Sequence, residues 1–277
     1  MRIEIIKKII CNKCQSNFNL SKINKIEKNN VICGLVTCKC STKPIVESIL
    51  FLEPSQKIPC DKINEIILIS KNYERNKLLE LIMGGLYGHI DSNYNNYIRR
   101  CFLQDELYYY NRNRTSTKSF FHITPFFSIL NNLVLDVGCS IGMLTRIMTL
   151  INPQLEIIGL EDNIKTLFAA SKFFKLKDLI CSNINKGIPF KKKQIDFCIA
   201  SDMFHYVNKK EFVAKEFIRT SKNIIIPHLH TNFETMNEGQ PLTIQEYEQI
   251  FPNCLIIPSF ETIKNYLEKE IINLNKI

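Results

Sequence analysis

The sequence predicts an α/β protein, a doubly wound and mainly parallel sheet, with a small cysteine-rich β domain in front of it. Two observations predict this. From Leu133 onward short apolar runs alternate with stretches of helical spacing, and six of the 11 cysteines (Cys11, Cys14, Cys33, Cys38, Cys40 and Cys60) fall within the first sixty of 277 residues. Runs apolar on both faces and separated by helices belong to parallel strands covered on both sides. Clustered thiols without a secretory signal point to metal ligation rather than to a disulfide framework.

Residues 1–58 are expected to form the β domain. "IICNKCQS" carries a C-x2-C knuckle, and "LVTCKCSTKP" carries a C-x-C pair with 23 residues between Cys14 and Cys38. Four thiolates on two tight turns close a tetrahedron around zinc, which supplies folding energy that so short a segment cannot draw from burial. The expected ligands are Cys11, Cys14, Cys38 and Cys40, with Cys33 as the substitute if the C-x-C turn is too tight. The net charge of +9 is uneven: residues 1–60 hold 10 Lys/Arg against 4 Asp/Glu, and the remainder hold 26 against 23. A basic end is compatible with RNA contact, but the whole chain is rich in Lys, Asn and Ile, so charge decides little. No apolar run reaches the roughly 18 residues of a membrane span, and a cytoplasmic protein without membrane contact is expected.

Residues 59–130 are expected as a helical lead-in or lid. "DKINEIILIS", "ERNKLLELIMGG" and "NYNNYIRRCFLQDELYYYN" have amphipathic spacing, and Gly84-Gly85 stops the second. Tyr108, Tyr109 and Tyr110 cannot share one helix face, and Arg112 and Arg114 fall in a polar loop.

In the third part, residues 131–277, the expected strands are "LVLDVG", "LEIIGLE", "DLICSN", "QIDFCIAS" and "NIIIPHL". Helices are expected at about 142–151, 163–175, 209–220 and 243–251. Ligands of such sheets bind at the carboxyl ends of the strands, where Asp136 and the loop Gly138-Cys139-Ser140-Ile141-Gly142 lie. Glycine lets the backbone approach a ligand, and the following helix offers free N–H groups. A pyrophosphate fits poorly beside the Asp136 carboxylate, whereas a ligand carrying an ammonium and a sulfonium is favoured by it. S-adenosylmethionine meets that description. Its ribose needs an acid at the end of the second strand, and Glu161 stands 19 residues after Gly142, with Asp162 beside it as the alternative.

These residues carry two resemblances. "IICNKCQSNFNL…VICGLVTCKCSTKPIVESILFLEP" resembles the zinc-ribbon domain of the activator subunit of tRNA and protein methyltransferases, through Gly34–Cys38 and Pro44–Ile49, with the second knuckle one residue short. Residues 105–230 resemble class I S-adenosylmethionine-dependent methyltransferases of the type 11-like kind, which have a Rossmann-like fold. "VLDVGCSIG" is similar to their first motif, with Ser140 in place of the commoner middle glycine, and "IIGLED" to their second. "CSNINKGIPFKKKQIDFCIASDMFHYV" is similar to the stretch that meets adenine and then the methyl. The resemblance places Asn183, where aspartate is usual, and Ile184 beside adenine, and Ala200, Ser201 and Asp202 beside the methionine end.

Methyl transfer needs alignment and, for a protonated nucleophile, a base. His205 is the first candidate and His228 or His230 the second, because both groups follow strand ends on the cofactor side. The tail departs from the family's closing hairpin, with one short strand expected at "CLIIPS" and then a helix, so that the sheet is abbreviated or completed by a partner. The expected acceptor is a small molecule. RNA held by the basic ribbon is the alternative, and a catalytically inactive protein docking a partner through its ribbon or C-terminal tail is the third.

Overall fold

The computed structural model describes residues 1–54, 122–233 and 239–258, together with 261, 263, 264 and 268. The expected lead-in helices, Tyr108–Tyr110, Arg112, Arg114 and Cys60 lie outside the described residues, as does the helix expected after "CLIIPS" apart from isolated positions.

Nine strands form one sheet among the described residues. They are β1 (Asn19–Glu27), β2 (Asn30–Thr37), β3 (Thr42–Val46), β4 (Ile49–Glu53), β5 (Leu133–Val137), β6 (Glu156–Glu161), β7 (Leu179–Ser182), β8 (Ile195–Ile199) and β9 (Ser221–Ile225). Their order is β1-β2-β3-β4-β7-β6-β5-β8-β9. The helices are α1 (Ile3–Ile6), α2 (Met143–Ile151), α3 (Ile164–Phe173), α4 (Lys210–Thr220) and α5 (Ile244–Ile250). Each strand and helix expected after residue 131 is present up to "NIIIPHL", which pairs only as far as Ile225. A capping box starts α5: Thr243 Oγ1 accepts from Glu246 N–H, and the Glu246 carboxylate accepts from Thr243 N–H. The strand expected at "CLIIPS" is absent. Residues 254–258 are irregular, with Leu255 47% exposed, and among the described residues no strand lies beside them to take up their backbone groups.

Alternation along β5 explains the two layers. Leu133, Leu135 and Val137 join a core with Ile158, Ile180, Phe204 and the α4 residues Val213 and Phe217. Val134 points the other way, into a core with Phe127, Met148 of α2, Ile157 and Phe197. Strands buried on both faces read as continuous apolar runs, as "LVL" and "DLIC" do.

The cysteine-rich β domain continues this sheet. β1–β4 are antiparallel to one another, and β4 then runs parallel to β7, with Ile49 opposite Leu179 and Phe51 opposite Cys181. Ile5, Ile9, Ile45 and Leu50 share one core with Leu135 and Ile180. Polar ties reinforce the joint. Arg2 donates to both oxygens of Asp178 through its backbone N–H (2.8 Å) and Nε (2.6 Å), Asn183 N–H donates to Glu53 O (2.9 Å), and Ile10 N–H to Pro189 O (2.9 Å). The outer edge falls to β1, where register shifts against β2 and the exposed Lys22 discourage further pairing.

Candidate active site

The parallel strands bring their carboxyl ends to one rim, as the topology of such a sheet requires. After β5 the chain turns through Gly138 (φ 71°), Ser140 (φ 50°) and Gly142 (φ 79°) into α2. A side chain at Gly138 would meet Met203 Cγ at 2.9 Å, and one at Gly142 would meet Leu176 Cδ1 at 2.3 Å, so the positive φ favours glycine at both and a side chain there would also have to displace Met203 or Leu176. Ser140 holds the same left-handed conformation at a steric cost.

A cleft of about 310 Å³ opens above this loop, lined by Gly138, Ser140, Glu161 and Asp162 at one end and by Asn183, Ile184, Ser201 and Asp202 at the other. Seven of the residues expected to bind the cofactor are therefore brought together with Asp202. Glu161 is held in place by the loop it faces: one carboxylate oxygen accepts from Ser140 N–H (3.1 Å), the other from Asp162 N–H (2.7 Å) and Asn163 N–H (2.9 Å). Burial raises its pKa despite these bonds. Asn183 caps the short helical turn after β7, its Oδ1 accepting from Asn185 N–H (2.8 Å) and Nδ2 (3.0 Å).

Three expected residues lie behind the cleft wall. Asp136 is 2% exposed, and its Oδ2 accepts from Thr145 Oγ1 of α2 at 2.5 Å. Burial pushes its carboxyl up to about 6 against the opposing pull of the Thr145 bond, with Glu161 adding repulsion. Cys139 is buried against Gly159, whose missing side chain makes room for its sulfur, and Gly142 serves the turn into α2. Ser182, Met203, Tyr206 and Val207 also line the cleft. Their signal in the sequence was their position at the end of β7 or in the segment that follows β8.

His205 does not line the cleft. It is fully buried, and burial together with the neighbouring His230 holds its pKa down at about 4, so it is neutral and a poor proton acceptor. His228 and His230 stand over Asp202: His228 Nδ1 lies 3.0 Å and His230 Nε2 3.4 Å from Asp202 Oδ1. Burial raises the Asp202 carboxyl, but the surrounding histidines, His228 foremost, together outweigh it, and the carboxyl stays below its usual range.

At the other end of the molecule the Sγ atoms of Cys11, Cys14, Cys38 and Cys40 lie within 4.8 Å of one another. The distances Cys11–Cys40 (3.6 Å) and Cys38–Cys40 (3.7 Å) match the edge of about 3.8 Å that Zn–S bonds of about 2.3 Å impose on a tetrahedron. The Ser16 hydroxyl draws the Cys14 thiol down to about 6, while the surrounding thiols Cys14 and Cys11 push Cys40 up to about 12. Thiolates crowded this closely need a cation to coexist, and the set is compatible with zinc. The C-x-C turn is wide enough, and Cys33 stays in β2 opposite Val46.

Residues 135–223 match the family described as Methyltransferase domain. The chain carries a methyltransferase domain. The match begins in β5 and ends in β9, so it spans the whole rim of the cleft. Solved structures that the chain matches include a SAM dependent methyltransferase from Aquifex aeolicus (16% identity, 55% of this chain and 85% of that one, TM-score 0.39). Others are the plantazolicin methyltransferase BpumL in complex with SAH (16%, 62% and 73%, TM-score 0.39) and a chain of a Haloferax volcanii complex containing the Trm112 methyltransferase activator (13%, 56% and 73%, TM-score 0.44). None of the curated proteins matches the chain. No helix among the described residues is long and apolar enough to cross a membrane.

Proposed function

We propose that the methyltransferase domain binds S-adenosylmethionine in the rim cleft and transfers its methyl group to a small-molecule acceptor in the cytoplasm. One observation carries this. Glu161, the glycine loop, Asn183 and Ser201 converge on one cleft from the ends of four successive parallel strands. In this arrangement Glu161 accepts the ribose hydroxyls, the backbone at Gly138–Ser140 leaves space for the methionine part, and Ile184 packs against adenine. Asn183 supports adenine by fixing the turn, since its Oδ1 already accepts two bonds. The cofactor supplies an activated methyl group, and the chain aligns it with the acceptor. His228 and Asp202 stand at the methyl end, where a proton from the nucleophile would be received. The free thiols suit a reducing compartment, and four of them hold a structural zinc ion.

Calorimetric titration of the full chain with S-adenosylmethionine and S-adenosylhomocysteine tests the reading. Micromolar binding is expected, weakened at least 10-fold in Glu161→Ala with no change in bound zinc. Folded, zinc-loaded protein that binds neither compound would sink the enzyme and leave a partner-binding protein. The lysines of the exposed β1 edge are the support for RNA as the acceptor, and RNA affinity falling steeply with salt would replace the small molecule by RNA.

A further inference from the structure

Four of the chain's five histidines meet at one place. The rings of His205 and His230 are 4.7 Å apart, those of His228 and His230 4.4 Å, and those of His122 and His228 4.6 Å, with Asp202 among them. They come from the turn before β5, the loop after β8 and the loop after β9, so the sheet has gathered them from distant parts of the chain.

Of these, one donor atom each from Asp202, His205 and His230 lies within 4.8 Å of the other two. His205 is the telling member. It is fully buried, and neither ring nitrogen has a hydrogen-bond partner among the described residues. An idle polar group in that position is costly, and each such group calls for an explanation. Its setting is nonetheless tightly built. The carbonyl of His205 accepts from Gln240 N–H (2.8 Å) and from Lys210 Nζ (3.3 Å), and Gly239 packs so closely on the ring that a side chain there would meet Cδ2 at 3.0 Å. The ring is thus aimed and held with its nitrogens unspent.

We propose that Asp202, His205 and His230 form a second metal site, for a divalent transition cation such as zinc, at the carboxyl ends of β8 and β9. Two imidazoles and one carboxylate are the donor set that leaves a coordination position open, unlike the closed set of four thiolates. The separation of 3.4 Å between Asp202 Oδ1 and His230 Nε2 suits two ligands of one ion, since bonds of about 2.1 Å in a tetrahedron place donors about 3.4 Å apart. Asp202 also lines the cleft, so the open position faces it, and the ion has a way in because the Asp202 and His230 side chains are partly exposed. His228, 3.0 Å from Asp202 Oδ1, orients the carboxylate from outside the set.

The test uses the full chain without cofactor, so that its outcome is independent of the methyltransferase reading. Protein loaded with zinc and freed of excess is assayed for metal per chain, and the cobalt form is recorded spectroscopically, where thiolate charge-transfer bands report the cysteine site alone. The wild-type chain is expected to hold one ion more than Asp202→Asn and His230→Ala, with the thiolate bands unchanged in all three. Equal metal content in the wild type and in Asp202→Asn, a nearly isosteric change that keeps the fold, would overturn the site and leave a histidine cluster filled by water alone.

Discussion

The two halves of the sheet solve different problems with the same hydrogen bonds. In β1–β4 neighbouring strands are joined by short turns, so their pairings with one another are local and strand ends alternate between the two rims. No rim collects side chains, and the tight turns become places where thiols meet. In β5–β9 every strand points the same way, and all carboxyl ends open on one rim, so residues as distant as Ser140, Glu161, Asn183 and Asp202 share a cleft. Antiparallel pairing yields a brace, and parallel pairing yields a site.

The joint between β4 and β7 makes the contrast testable. If the halves are one cooperative unit, Cys38→Ser should unfold both together, with a loss of at least about 3 kcal/mol in zinc-loaded protein and a single transition followed by circular dichroism. Two separate transitions would show that the brace and the site fold independently. Leu50→Ala, at the joint, should cost about 2–5 kcal/mol and lower the denaturant midpoint of the parallel half as well. A midpoint shift confined to probes in the N-terminal half would break the comparison at its seam.

Within the parallel half, Asp136 supplies a pH signature. Its folded pKa of about 6 lies above the 3.8 of a free aspartate, so the folded state holds the proton more tightly and stability falls as pH rises from about 4 to 6. Asp136→Asn should remove that slope and raise ligand-free stability at pH 8 by roughly 2–3 kcal/mol, read from unfolding midpoints across pH. Equal pH profiles for the two proteins would show the carboxylate to be relieved by something other than protonation. The smallest effect is expected at Ser140→Gly, where release of the positive φ should add up to about 1 kcal/mol, measurable as a rise in Tm.

How much of this was legible follows from range. The loop after β5 and the acid ending β6 were readable, because each depends on a few adjacent residues: a carboxylate, small residues at tight φ, then a helix. The thiol set was readable for the same reason, the turns being local. The β4–β7 pairing was not, since "ILFLE" carries no mark of a partner that lies about 130 residues later. The burial of Asp136 was missed because it depends on Thr145 leaning over it from α2. The place of His205 after β8 is legible, but its burial and the approach of His122 are not, because a histidine cluster exists only once three distant segments have met.

The continuous sheet also bears on how the chain is made. At about 5–20 residues per second, β4 leaves the ribosome on the order of ten seconds before β7 can cover it. During that interval the edge of β4 is an open template for any passing strand. The four cysteines that brace the hairpins all precede residue 41, so an ion captured there would hold the first half in shape while its edge waits. With such an ion bound, metal supply during synthesis, and not only in the finished protein, would bear on how much of the chain escapes aggregation.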